Sequence, residues 1–89
     1  MAVERELQII NKLGLHARPA MLLVKTASKF QSSIKLVKDN VEANAKSIMG
    51  VLVLAAEKGS KIKILVDGPD EEEALEAIAK LFADGFGEE

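Results

Sequence analysis

Along this chain the spacing of apolar residues switches repeatedly between two and three-to-four, and each switch marks a change between strand and helix. Val3, Leu7 and Ile9 fall on one side of an alternating run from Val3 to Ile10, against Glu4, Glu6 and Gln8, with Arg5 breaking the apolar side. That is the pattern of a half-buried strand. Ala20, Leu23, Val24, Ala27 and Phe30 then recur at helical spacing and predict a helix from about Ala17 to Phe30. Ile34 to Lys38 alternates again, with Ile34 and Leu36 on one face, and Val41 to Asn44 is its short return strand. Asp39-Asn40 supplies the turn between them, because both residues tolerate left-handed angles.

Ser47 opens a second helix, short and nearly all apolar through Ala55, which ends at Glu57-Lys58-Gly59-Ser60. Lys61 to Asp67 is a fourth strand, with Ile62, Ile64 and Val66 inward and Leu65 interrupting the outer face. After Gly68-Pro69, the carboxylates of Asp70-Glu71-Glu72-Glu73 suit the positive end of a last helix dipole. Adjacent carboxylates point different ways around a helix, so this cluster reads as dipole and solvation chemistry and not as a metal site. Ala74, Leu75, Ile78, Leu81 and Phe82 form that helix's core face, and Gly85 stops it. Phe86-Gly87-Glu88-Glu89 trails off, with Phe86 tucked back. The order β-α-β-β-α-β-α predicts an α+β fold: one antiparallel sheet with three helices on a single face.

Residues 1–89 are expected to make one domain, since a chain of 89 residues has no room for a second core. Apolar residues are 48% of the chain, enough for a packed interior. There is no cysteine, which suits a reducing compartment, and the start alternates charge where a secretory signal would be apolar. The longest apolar stretch, Val51 to Ala56, is too short to span a bilayer, so a soluble, cytoplasmic, monomeric protein is expected. The net charge of −2 hides an asymmetry: Met1–Val66 holds 11 basic and 5 acidic residues, Asp67–Glu89 only 1 basic against 9 acidic. A positive body can steer an acidic partner towards one face. Nucleic acid suits the chain poorly, because only three aromatics are present and no basic run occurs.

Chemistry concentrates in Gly14-Leu15-His16-Ala17-Arg18-Pro19-Ala20, which holds the one histidine and one of two arginines. Proline is tolerated in a first helical turn, so the helix starts near Ala17 with His16 at or beside its N-cap. The imidazole then faces the unpaired N–H groups of the first turn, a ready anion site to which Arg18 adds a cation. A lone histidine at a helix start is commonly just a surface residue. Here three features converge on one anion-sized spot. One histidine without cysteine argues against a structural zinc site. The Walker loop and the Gly-x-Ser-x-Gly elbow are both missing, which argues against ATP binding and serine hydrolysis. Histidine as a nucleophile that carries a group covalently remains, and no cofactor is called for.

Gly-Leu-His-Ala-Arg-Pro-Ala resembles the active-site signature of the HPr family, the histidine-containing phosphocarriers of the bacterial phosphotransferase system. Ala45-Lys46-Ser47-Ile48-Met49-Gly50-Val51 is similar to the family's second signature, around a regulatory serine. The resemblance covers essentially the whole chain, and neither signature departs from the family's pattern. It implies an open-faced β-sandwich with strand order 1-4-2-3. It also implies a phosphoryl group accepted on Nδ1 of His16 from enzyme I, with phosphoenolpyruvate as ultimate donor, and passed to enzyme IIA domains. Such a protein is a carrier with a phosphohistidine intermediate and not a stand-alone enzyme.

Under that resemblance the N–H groups of Ala17 and Arg18 hold the phosphoryl oxygens and Arg18 is the electrostatic helper. Ser47, which needs no function to be a good N-cap, becomes the target of HPr kinase/phosphorylase where the host has one. Met21, Leu22, Lys25, Ile48, Met49 and Leu52 are the expected docking patch, with Ile48 and Met49 the most exposed. Gly50 lowers helix stability and leaves room for a close approach. Two other readings stay open: a nitrogen-related carrier of the same fold, and a non-catalytic adaptor that binds partners through Met21 and Met49. The charged start and acidic end favour a free-standing domain over a module of a longer phosphotransferase protein.

Overall fold

Four alternating segments become four strands: β1 (Ala2–Gln8), β2 (Ser33–Lys38), β3 (Val41–Asn44) and β4 (Lys61–Asp67). The computed structural model describes residues 2–88, so Met1 and Glu89 of the expected ends lie outside the described residues. The sheet is antiparallel throughout, in the order β1-β4-β2-β3. Ile62, Ile64 and Val66 of β4 and Ile34 and Leu36 of β2 are fully buried on its inner face. Each such side chain contributes about 1.5–3 kcal/mol of hydrophobic stabilisation. Asp39 (φ +49) and Asn40 (φ +70) make the two-residue turn between β2 and β3, as their tolerance of left-handed angles predicts.

Three helices cover the inner face: α1 (Ala17–Ala27), α2 (Ile48–Val53) and α3 (Glu71–Ala83). Contacts run from α3 to β1 and β4, from α2 to β3, and from α1 to both other helices. Ala20, Leu23 and Ala27 of α1 are fully buried, with Val24 and Phe30 packed against the same core. Two helices stop short of their expected ends. The last turn after α1 tightens, with Lys29 N–H donating to Thr26 O and Phe30 N–H to Ala27 O. After α2, Ala55 adopts a left-handed φ of +50, which takes the chain out of the helix.

β1 also ends early, at Gln8, and its inner face is less apolar than the other strands. Val3 and Leu7 are half-buried, while Arg5 pairs opposite Ile64. The Arg5 guanidinium reaches Glu76 on α3, with Nη2–Oε2 at 2.7 Å and Nη1–Oε1 at 3.4 Å. The charge that interrupts the alternation thus sits on the edge strand, exposed and paired with an exposed carboxylate.

Asp70, Glu71, Glu72 and Glu73 stand at the start of α3, as the dipole reading expects. Asp70 precedes the helix, but its carboxylate makes no capping bond to it. Instead it accepts from Gln31 N–H and Ser32 N–H, both at 2.9 Å, and from the Ser32 hydroxyl. The Ser32 hydroxyl first, then the Gln31 N–H, hold the Asp70 carboxyl below its ordinary range. This ties the α1–β2 connection to the start of α3, across a crossing so close that a Cβ on Gly68 would lie 2.5 Å from Ser32 Cα. One expectation is corrected, for the residues after α3. They do not trail off: Gly85–Gly87 form a 3-10 turn that buries Phe86, its ring centroid 5.0 Å from that of Phe82. Phe86 is tucked back as expected. Among the described residues, no helix is long and apolar enough to cross a membrane.

Candidate functional site

The loop from β1 to α1 is held at each step by backbone bonds, and these aim the histidine. Ile9 is fully buried and tied to the start of β4: its N–H donates to Ser60 O (2.9 Å) and its carbonyl accepts from Gly59 N–H (2.7 Å). Asn11, also buried, closes the loop: Nδ2 donates to Gly14 O at 2.8 Å, and Gly14 N–H donates back to Asn11 O at 3.2 Å. Gly14 has φ +67 and presses on the chain after α2, where a Cβ would lie 2.3 Å from Ala56 O. Only glycine meets both conditions without strain. Leu15 N–H then donates to that same Ala56 O at 2.9 Å, fixing the residue before the histidine.

His16 is the N-cap of α1, as expected: its backbone is extended (φ −79, ψ −170) and its carbonyl accepts from Ala20 N–H at 3.0 Å. The imidazole itself makes no capping bond. Pro19, in the first turn, has no N–H to offer. That leaves the N–H groups of Ala17 and Arg18, and among the described residues no acceptor takes either of them. The first turn therefore presents two free donors at the positive end of a helix dipole, next to a histidine that does not block them. Arg18 is exposed and lines an open cleft of about 490 Å³ with Lys12, Leu13, Gly87 and Glu88.

Sequence reasoning missed what lies on the far side of the imidazole. Glu88 returns to it, with Oε2 at 3.0 Å and Oε1 at 3.1 Å from His16 Nε2. Asn11 Nδ2 donates to Glu88 Oε1 at 3.0 Å, so one buried amide holds both the loop and the carboxylate. The hydrogen bond from His16 first, then that from Asn11 and the charge of Arg18, hold the Glu88 carboxyl below its usual range. The acidic balance after Asp67 was the only hint available in the sequence, and it does not say which carboxylate returns.

Ser47, on a separate element, is the N-cap of α2, and its hydroxyl accepts from Gly50 N–H at 3.2 Å. A Cβ at Gly50 would make only ordinary contacts, 3.4 Å from Ser47 Oγ, so packing within the chain does not demand glycine there. Of the expected docking residues, Met21 and Met49 are 63% and 67% exposed, and Lys25 is exposed too. Leu22, Ile48 and Leu52 are half-buried against the core. Ile48 is thus less exposed than expected, because α2 turns it towards α1, where it lines a shallow pocket with Met21, Val24 and Lys25. Val53, four residues after Met49 on the same helical face and 68% exposed, was not anticipated.

Comparison with known proteins agrees with this geometry. The family model PTS-HPr, described as the PTS HPr component phosphorylation site, matches residues 3–84. The phosphocarrier protein HPr of Treponema pallidum (strain Nichols) is 51% identical over 87 residues, covering 98% of this chain and 99% of that protein. The phosphocarrier protein NPr of Escherichia coli (strain K12) is 43% identical over 90 residues, covering both chains in full. Among solved structures, HPr-C-His from Thermoanaerobacter tengcongensis superposes with a TM-score of 0.94 at 52% identity, covering 98% of each chain.

Proposed function

This chain belongs to the HPr phosphocarrier family of the phosphotransferase system, and from that premise we propose that it accepts a phosphoryl group on His16 from enzyme I and passes it to enzyme IIA domains. The observation that carries the reading is the start of α1: an imidazole beside the N–H groups of Ala17 and Arg18, which no acceptor takes among the described residues, with the exposed Arg18 guanidinium on the same short segment. Those donors suit the three terminal oxygens of a phosphoryl group on Nδ1, and Arg18 adds charge-assisted bonds. Two N–H groups hold the group without burying it, as a carrier must release what it accepts.

In this reading Met21, Leu22, Lys25, Ile48, Met49 and Leu52, together with Val53, form the surface on which partners dock. Ser47 is its regulatory position. A phosphate on the Ser47 hydroxyl sits well at the start of α2 but places negative charge beside Ile48 and Met49. It therefore repels partners more than it unfolds the domain, with HPr kinase/phosphorylase as the modifying enzyme. The protein acts as a single-domain cytoplasmic monomer. The full-length similarity to an NPr supports a second destination for the phosphoryl group, a nitrogen-related enzyme IIA in place of a sugar-specific one.

Incubation with phosphoenolpyruvate, magnesium and purified enzyme I, followed by intact-mass measurement, tests the reading. One acid-labile phosphoryl group should appear on the protein and none on His16→Ala. Transfer onward to a sugar-specific or a nitrogen-related IIA then decides the branch. A folded protein that gains no mass with enzyme I of its own organism overturns the carrier reading and favours the adaptor.

A further inference from the structure

We infer that Glu88 is a positioning residue for phosphoryl transfer: its carboxylate, held by Asn11, locks the His16 imidazole as the Nε2–H tautomer and leaves the Nδ1 lone pair as the nucleophile. The inference rests on the phosphocarrier reading for its consequence, but not for its geometry. Both carboxylate oxygens lie within hydrogen-bond distance of Nε2, at 3.0 and 3.1 Å. An ionised carboxylate only accepts, so Nε2 must be the donor. A neutral imidazole has one N–H and one lone pair, and the lone pair is therefore on Nδ1. Among the described residues Nδ1 has no hydrogen-bond partner that would occupy it.

Asn11 makes the arrangement stiff. Its amide faces two acceptors, the Gly14 carbonyl at 2.8 Å and Glu88 Oε1 at 3.0 Å, so the nitrogen and not the oxygen points to them. It is 2% exposed, and a buried side chain bonded at two points has little freedom to follow Glu88 elsewhere. The chain of contacts is thus buried amide, carboxylate, imidazole, open nitrogen. This is the way a histidine's second nitrogen is fixed by the group bonded to its first.

The chemistry then needs no proton movement at the reacting atom. The Nδ1 lone pair forms the bond to phosphorus as the phosphorus bond to the donor's phosphorylated side chain breaks, and the donor keeps that bonding pair. The ring becomes positive, its Nε2–H proton stays in place, and the Glu88 carboxylate faces the new charge across that hydrogen bond. When the group moves on, the N–P bond pair returns to Nδ1 and the ring is again the same tautomer, ready for the next cycle.

The test combines 15N NMR of the imidazole with the rate of phosphorylation by enzyme I, for the wild type, Glu88→Ala and Glu88→Gln. The wild type should show a protonated Nε2 and a bare Nδ1 in its neutral form. Glu88→Ala should mix the two tautomers and slow phosphorylation about tenfold, the low end for loss of a histidine's orienting partner. Glu88→Gln, whose amide oxygen can still accept, should recover part of both. If Glu88→Ala keeps the wild-type 15N pattern and its rate within twofold, Glu88 has no positioning role and the inference is overturned while the carrier reading stands. If the 15N pattern changes but the wild type takes no phosphoryl group, the tautomer lock survives and the carrier reading fails.

Discussion

Replacing Gly14 by alanine should damage this protein more than any other single methyl group added near the site. Two costs combine. The φ of +67 is left-handed, which costs a residue with a Cβ about 1–2 kcal/mol. The new Cβ would also lie 2.3 Å from Ala56 O and 2.9 Å from Glu57 Cα, both backbone atoms that cannot rotate away, whereas ordinary contact begins at 3.4 Å. The loop must back off by about 1 Å, at a further cost of about 1–3 kcal/mol for overpacking. Together these predict a loss of about 2–5 kcal/mol, or a fall in Tm of roughly 10–30 °C for a domain of this size. Gly87→Ala is the control: its φ of +74 is similar, but nothing lies within 4 Å of the Cβ position, so it should lose only about 1–2 kcal/mol. Thermal unfolding followed by circular dichroism at neutral pH compares them. Phosphoryl acceptance should fall as well, because a shift of about 1 Å at His16 is enough to spoil attack geometry. Equal Tm values for the two variants would refute the argument that the Ala56 contact is what Gly14 serves.

Other outcomes follow from the same structure. Asp70 has a carboxyl held low in the folded state, so its stabilising contribution is complete above the unfolded carboxyl range, near about pH 4, and is lost as pH falls through the lower folded value. The stability gap between wild type and Asp70→Asn should therefore be constant at neutral pH and close on acidification; a gap that widens in acid contradicts the sign. Ser47→Ala removes the hydroxyl that accepts from Gly50 N–H and should cost about 1 kcal/mol, or a Tm lower by roughly 4–8 °C, while leaving phosphorylation of His16 intact.

What could be seen from the residues alone, and what could not, divides by range. Ile34, Leu36, Ile62, Ile64 and Val66 declare their face through their own neighbours, because the period of a strand is a local property. His16 at the start of α1 is legible for the same reason, since Pro19 marks a first turn within three positions of it. Glu88 and Asp70 are different. Their partners, His16 and Ser32, stand 72 and 38 positions away, and neither carboxylate differs in its local setting from its acidic neighbours. Only the sheet order and the path of α3 bring them home. Ile48 and Val53 were misjudged on a finer scale: in a helix as short as α2, nearly all apolar, composition cannot tell which side meets α1. Ala55 shows another limit, as alanine is an unusual residue for a left-handed helix stop.

The pairing of β1 with β4 gives the proposed site at His16 a collective dependence on the rest of the fold. His16 follows an edge strand that, among the described residues, pairs with β4 alone, and the carboxylate that faces it arrives after α3. No short segment can assemble this site in an otherwise unfolded chain. Competence to accept a phosphoryl group should thus be a census of folded molecules: a distant core lesion such as Ile78→Ala would thin the competent population without altering the turnover of those that remain folded.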